Sequence, residues 1–441
     1  MMTEQQGITR IAYLTSGAAN MFCGSCLHDN TLARAWNQQG VDALLVPTYT
    51  PIRTDEEDVS VDQVFFGGIN VYLQQKIFFF RYLPAFLDRF LDNKWLLRKA
   101  TSRGLEISAR ALGSLTVSML KGRHGNQRKE VKRLCKWLST DIKPDVVLLS
   151  NLLIGGCISE VKRLGIPVVV TLQGDDIFLE DLIEPFKSQA IDILRQIVPD
   201  VAGFLVHSEY YKDYMMSLLQ IPEEKLHVVP LGIDTEDITA ATTDPERPPT
   251  IGYMARMSKE KGLHVLVDAF IELKQMPNTD DVRLHLAGWR GVTNQKFAEQ
   301  QLQRLIDAGL ADSFVDYGTV DREGKLTLLR ESDLVCVPTV YQEPKGLFAL
   351  EALAHGVPVV LPDHGAFPEV IGDVGGGQLV PPDDPHALAK CWNELLQDRA
   401  ALNDLGSHGR EAVLSRRDAK TMAQKTLEVL NRIVHQQTEQ T

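Results

Sequence analysis

Short apolar runs of strand length alternate with amphipathic helical patterns along almost the whole chain. This rhythm is what a parallel sheet with helical crossovers requires, because parallel strands are buried on both faces and need long connections. The runs predict strands at Ile11–Thr15, Asp42–Pro47, Asp145–Ser150, Pro167–Leu172 and Gly203–His207. After a Pro-rich stretch, Asp244–Pro249, a second series follows at Thr250–Met254, Arg283–Ala287, Phe314–Tyr317, Asp333–Val337 and Val357–Leu361. Two α/β domains are expected, with a hinge between about Pro230 and Pro249. A chain of 441 residues, 44 % hydrophobic and 24 % charged, is long enough for both to have a core.

The formal net charge of −12 argues against a nucleic-acid binder, which must neutralise many phosphates. It leaves room for a small anionic ligand at a local cluster of cations. Six scattered cysteines, a start without the basic-then-apolar pattern of a signal peptide, and the lack of a membrane-length apolar run lead to the expectation of a cytoplasmic protein with free thiols. Residues 76–99 break the βα rhythm with six basic and two acidic residues among seven aromatics. Two readings stay open for them: a helical insertion packed on the first domain with its basic groups turned outward, or a membrane-surface element.

Two stretches of the second domain carry chemistry. In the run from Thr339 to Ile371, Glu343 and Glu351 are separated by seven residues, and Glu343-Pro344-Lys345-Gly346 leads into a helix that contains Glu351. Main-chain N–H groups at such a helix start receive anions or hydroxyls, and a carboxylate two turns in can accept from a diol; a helix cap and a solvated acid are the plainer alternative. In Gly252–Gly262, Arg256 and Lys261 follow a predicted strand, where a fork-shaped guanidinium and a point charge can clamp a diphosphate, and Gly252 permits close backbone approach. A charged surface loop is the alternative there.

These stretches, with HSEYYKDYM, LHVVPLGID, LHLAGWRG, VDYGTVDREGKLTLLRESDLVCVPT and GQLVPPDDPHALA, resemble the retaining family 4 glycosyltransferases of the GT-B fold. The resemblance implies two facing Rossmann-like domains with a cleft between them: residues 1–230 for the acceptor, with an insertion at about 76–130, and 231–413 for a nucleoside-diphosphate sugar donor. A last helix, helical by pattern over Leu414–Gln436, would return to the first domain as residues 414–441. Arg256 and Lys261 would hold the donor diphosphate, Glu343 the sugar hydroxyls, Glu351 the ribose, and Lys345, Gly346 and Leu347 would offer main-chain donors. Val320, in the turn from Gly318, and Leu326 would border the base. Family members often carry Phe where this chain has Lys345, which bears on sugar preference.

In the first domain, Thr15–Cys26 matches the family's glycine-containing loop, with Gly24 placed beside donor phosphates and acceptor. Cys23 and Cys26 form a C-x-x-C, which also admits a redox reading. Gln173 stands where many members have a histidine; it cannot serve as a base but can hydrogen-bond a sugar hydroxyl. Asp175 and Asp176 are candidates for acceptor binding, or for a solvated turn, and are not the Asp-x-Asp of metal-dependent transferases. The family's usual retaining reaction lets the departing phosphate take the acceptor proton and needs no metal or other cofactor. Phe66–Leu73 resembles a strand of glycogen and starch synthases, following a polar loop at Thr50–Glu57, and implies a hydroxyl-bearing small-molecule or glycan acceptor. The expected activity is hexosyl transfer. A catalytically idle nucleotide-sugar-binding module, which Gln173 motivates, and a sugar-nucleotide epimerase are the alternatives.

Overall fold

The computed structural model describes residues 7–17, 23–61, 64–66, 71, 74–75, 109–240 and 246–439. The 76–99 segment, most of Phe66–Leu73 and the middle of the Thr15–Cys26 loop lie outside these residues. The chain divides into two compact units, Met1–Pro230 with Ala419–Thr441, and Leu231–Asp418.

The first unit is built on a six-stranded sheet in the order β2-β1-β3-β4-β5-β6. Its strands are β1 (Arg10–Thr15), β2 (Asp42–Pro47), β3 (Val146–Leu149), β4 (Val168–Thr171), β5 (Gly203–Val206) and β6 (Leu226–Val228), all parallel. The second unit has the order β12-β11-β10-β7-β8-β9. Here the strands are β7 (Thr250–Met254), β8 (Arg283–Ala287), β9 (Phe314–Gly318), β10 (Leu334–Cys336), β11 (Val359–Pro362) and β12 (Gly377–Val380), again all parallel. The central strands VVLL, VVVT and GFLV are buried at every residue, so helices must cover both sheet faces. The second order is the doubly wound one, with its reversal between β7 and β10; in the first sheet the reversal falls between β1 and β3.

Two strands go beyond the sequence reading. Both β6 and β12 are edge strands of three or four residues, and β12 leaves Gln378 exposed, so neither forms an apolar run. Of the insertion, the helices Ala109–Leu120 and Arg128–Trp137 are described; Val117, Met119, Leu120, Val131 and Leu134 join the first unit's core.

The expected continuous helix over 414–436 is instead two, Arg399–Arg416 and Ala419–Glu439. No Pro or Gly marks the break. The carbonyl of Arg417 accepts from Ile233 N at 2.9 Å, its guanidinium bonds Asp373 at 2.7 Å, and Ile233 and Asp418 form a parallel bridge. These contacts hold residues 417–418 out of helical geometry. The last helix then packs in the first unit: Trp36 Nε1 donates to Ala423 O at 2.9 Å, and Met422, Leu430 and Ile433 are buried. Gly203 makes room for Ile433, whose Cδ1 would lie 2.6 Å from a Cβ there.

Candidate functional site

Each unit gathers polar groups at the carboxyl ends of its strands, beside its reversal of strand order. In the second unit three loops meet there. The loop after β7 is held to the loop after β10 by Val340 N donating to Glu260 O at 3.1 Å. Gly262, at φ +71°, lies so close that a Cβ would stand 1.6 Å from Pro338 O. The loop after β11 closes from the other side, with Ala366 N donating to Glu343 O at 2.8 Å.

This bracing brings Lys261 and Glu343 together. Lys261 Nζ donates to Glu343 Oε2 and to the Tyr341 hydroxyl, both at 2.7 Å, and lies 4.8 Å from the Tyr341 ring centroid. The Tyr341 hydroxyl donates to the same carboxylate oxygen. Burial alone would raise the Glu343 carboxyl, but the charge and hydrogen bond of Lys261, the Tyr341 hydroxyl and the nearby Lys345 hold it at about 2. Glu343 is therefore a fixed anion at neutral pH. Gly346, at φ +73°, turns the chain into the Leu347–Ala354 helix, and its N–H points to Glu343 Oε1 at 3.4 Å. Lys345 is buried and Leu347 half-buried at that helix start.

Glu351 is half-buried on the same helix and takes a hydrogen bond from Lys325 Nζ at 2.8 Å. Lys325 comes from the Arg322–Glu331 helix, capped by the Asp321 side chain, which also carries half-buried Leu326; Val320 is half-buried just before it. Arg256 leads the β7 loop, but its guanidinium pairs with Glu260 at 3.2 Å and its side chain stays 41 % exposed. Gly252 lies within β7, and what approaches it is the Ser332 hydroxyl, 2.3 Å from where a Cβ would be.

The first unit's counterpart is centred on a residue the sequence motifs do not reveal. Asp29, on the Gly24–Gln38 helix, is fully buried. Its carboxylate accepts from Tyr13 Oη at 2.5 Å, Thr15 Oγ1 at 2.6 Å and Gln173 Nε2 at 2.8 Å. His28 Nδ1 is 3.3 Å away, and the His28 ring meets that of His207 edge-on at 4.6 Å. Tyr13 is pushed well above the usual phenol range by burial and by the Asp29 charge. Gln173 also donates from Nε2 to Ser150 O at 3.1 Å.

Asp175 and Asp176 do not form a solvated turn. They open a short helix, Asp175–Glu180. The Asp175 carboxylate is buried and caps two main-chain donors, Leu152 N at 2.8 Å and Gln173 N at 3.0 Å. Burial outweighs those bonds and pushes its carboxyl up to about 7. Asp176 accepts from Tyr211 Oη at 2.5 Å, and burial raises it too. Tyr211 Oη in turn accepts from Gly174 N at 2.9 Å. Gly24 is exposed at the start of its helix, next to half-buried Cys23; neither Cys23 nor buried Cys26 is in a disulfide.

Tyr341, Lys325, Asp29 and Tyr211 are thus additions to the residues the motifs single out. One signal for Asp29 was available. His28-Asp29-Asn30-Thr31 puts four consecutive polar residues, more than a full helical turn, in a helix the sequence predicts to pack on the sheet, and in the structure all four are buried. Among the described residues, no group of three or more His, Cys, Asp or Glu side chains is placed to hold a metal ion, and no helix is long and apolar enough to cross a membrane.

Comparison with known proteins bears on both units. Residues 234–412 match the family model described as glycosyl transferases group 1, and residues 110–237 match that of glycosyltransferase family 4. A phosphatidyl-myo-inositol mannosyltransferase of Mycobacterium leprae is 32 % identical over 225 residues, 50 % of this chain and 57 % of that protein. A D-inositol 3-phosphate glycosyltransferase of Xylanimonas cellulosilytica is 34 % identical over 204 residues, 43 % of this chain and 47 % of that protein. The matches therefore span about half the length of these relatives. Among solved structures, sucrose-phosphate synthase from Thermosynechococcus elongatus superposes with a TM-score of 0.70 at 17 % identity, covering 96 % of this chain and 99 % of that one. HepE of Anabaena in complex with UDP gives 0.67 at 17 % identity, covering 96 % and 100 %. The fold is that of these GT-B structures. With adjoining family matches running from residue 110 to residue 412, the chain belongs to the group 1, family 4 glycosyltransferases.

Proposed function

We propose that the protein moves a hexose from a nucleoside-diphosphate sugar to a hydroxyl-bearing acceptor, with retention at the anomeric carbon. The observation that carries this reading is the Lys261–Glu343–Tyr341 cluster at the β7/β10 reversal, opposite the Gly346 helix start. A fixed carboxylate next to a cation suits a ligand that presents hydroxyls beside phosphates. In this reading Lys261 and Arg256 meet the diphosphate, Arg256 through a guanidinium whose five N–H donors exceed what one contact with Glu260 takes up. Glu343 accepts from sugar hydroxyls, main-chain donors come from Lys345, Gly346 and Leu347, and Glu351, steadied by Lys325, accepts from the ribose. Val320 and Leu326 border the base, and Gly24 approaches the phosphates. Asp176 and Gln173 meet hydroxyls, while Asp175 braces the loop that carries them.

The bond from the anomeric carbon to the leaving phosphate oxygen breaks as the bond to the acceptor oxygen forms. The acceptor's proton passes to the departing phosphate on the same face, so no protein base is needed. Negative charge grows on the diphosphate and is met by Lys261 and Arg256, which stabilise the transition state more than the ground state. These cations take the part a metal ion plays in other transferases, so turnover should survive chelation by EDTA. Relatives named for inositol-bearing acceptors favour a polyol acceptor. We place the reaction in the cytoplasm.

A thermal-shift panel of nucleoside diphosphates and their sugars tests the donor assignment, since a ligand that binds only the folded protein raises its melting temperature. Stabilisation by one nucleotide series, lost in Lys261→Ala and Glu351→Ala, is the expected result. Stabilisation without sugar transfer or hydrolysis would instead mark an idle binding module, and conversion of the free sugar nucleotide an epimerase.

A further inference from the structure

We infer that Arg290, steadied by Asp316, is a specificity-determining residue of the donor site. It selects a nucleobase that turns a carbonyl oxygen toward it, as uracil and guanine do, over one that turns an amino group, as cytosine and adenine do. The inference deepens the proposed transfer reaction and rests on that reading for the presence of a nucleotide. Its ground is a pair of side chains outside the Lys261–Glu343–Tyr341 cluster. Arg290 follows β8 and Asp316 lies in β9, so the two meet at the carboxyl ends of neighbouring strands. The guanidinium donates from Nη2 to Asp316 Oδ2, and from Nε to Met257 Sδ at 3.1 Å. Met257 is fully buried in the loop after β7, next to Arg256. Arg290 therefore spans the end of β8, from the loop that carries Arg256 and Lys261 to the strand that leads to Val320.

The surrounding main chain holds this span in place. Gly288 N donates to Gly318 O at 2.8 Å, Met257 N donates to Trp289 O at 3.1 Å, and a Cβ on Gly288 would overlap Ala255 O. Gly318 N donates to Asp316 Oδ1 at 3.0 Å, so both carboxylate oxygens are turned to donors of the protein. Arg290 uses two of its five N–H donors among the described residues, and its side chain is 25 % exposed. What the pair has left over is therefore donors, on a group that never loses its charge. A nucleotide with its phosphates at Lys261 and its ribose at Glu351 brings its base to the turn after β9. Lys325, bound to Glu351, neighbours Leu326 in the helix which that turn opens, and Asp316 is bonded to the turn's first residue, Gly318. Uracil O4 and guanine O6 present lone pairs to such donors, whereas cytosine N4 and adenine N6 present N–H groups that oppose them. A site built around a hydrogen bond rejects the partner that cannot make it, because its own polar group is left unpaired.

Calorimetric titration of the purified protein with UDP, CDP, IDP and ADP tests this. UDP differs from CDP, and IDP from ADP, in bearing oxygen where the other bears an amino group. In the wild-type protein the oxygen-bearing member of the pair that binds should be favoured about 10- to 100-fold. Arg290→Met keeps the stem and removes the donors, and the preference should fall to about two-fold or less. Arg290→Lys keeps a cation beside Asp316 but not the planar fork, and should stand between the two. It carries the comparison where Arg290→Met does not fold. An Arg290 that only ties β8 to β9 would, when replaced, weaken every diphosphate alike and leave the ratio unchanged. That result would overturn the inference, as would a wild-type preference for CDP or ADP. Binding without any such preference would overturn this inference and leave the donor reading standing, whereas binding of none of the four would overturn both.

Discussion

Glu343 and Asp175 are both buried carboxyls, and their surroundings push them in opposite directions. Glu343, held at about 2 against a reference of 4.5, favours folding above pH 4.5 and loses that contribution as the pH falls toward 2, worth about 3 kcal/mol. Removing its cation in Lys261→Met leaves the carboxylate buried and uncompensated, a change that costs about 3 kcal/mol at neutral pH. Urea melts should show that difference at pH 7 and a much smaller one at pH 3, where the variant's carboxyl is neutral. Asp175, raised to about 7 from 3.8, behaves the other way. Its contribution is fully present below pH 3.8 and is lost as the pH rises through 7, on the order of 4 kcal/mol. Asp175→Asn should therefore destabilise the protein more at pH 4 than at pH 8 in the same melts. A penalty that grows with pH would mean the Asp175 carboxyl is ionised in the folded protein at pH 4.

At the scale of elements, the second unit's site depends on loops that touch at close range. Gly262 has a left-handed φ and a main-chain oxygen where its Cβ would be, whereas Gly309 has a similar φ of +77° and open space. Gly309→Ala should cost only the backbone penalty, about 1 kcal/mol, and Gly262→Ala about 3 kcal/mol or more, with loss of nucleotide binding. Equal costs in chemical melts would show that the loops yield freely. The same local character explains how much was legible in the sequence. The central strands stand out because each is an apolar run buried on both faces, while β6 and β12 are too short and too half-solvated to do so. Lys261, Glu343 and Glu351 lie in two compact loop-helix motifs, so residue types and spacing locate them. Asp29 and Gln173 are 144 positions apart and meet only because β1 and β4 share a sheet. The break at Arg417 answers to Ile233 and Asp373, and no helix-breaking residue announces it.

For the whole molecule, the division at Pro230 and the return at Ala419 make the C-terminal helix part of the first unit's core. Ending the chain after Asp418 would uncover Trp36 and remove Met422, Ala423, Leu430 and Ile433 from that core. Hydrogen exchange should then show loss of protection across β1, β3 and β4, with the strands of the second unit protected as before. Uniform loss in both units would mean that they do not fold independently. The net charge of −12 also takes on a sharper meaning. The proposed phosphate-bearing donor would have to be drawn in against that field, and the two cations proposed to meet it, Lys261 and Arg256, each lie beside an acid. Donor binding should thus depend on particular residues rather than on overall charge. The most direct measurement follows product formation by NMR when the purified protein is given each common nucleoside-diphosphate hexose with a polyol acceptor. Release of one nucleoside diphosphate and an α-linked product from an α-linked donor is expected, at least 100-fold slower in Lys261→Ala, which removes a charge that the transition state needs most. An inverted product would contradict the retaining reaction, and transfer at the wild-type rate by Lys261→Ala would contradict the site itself.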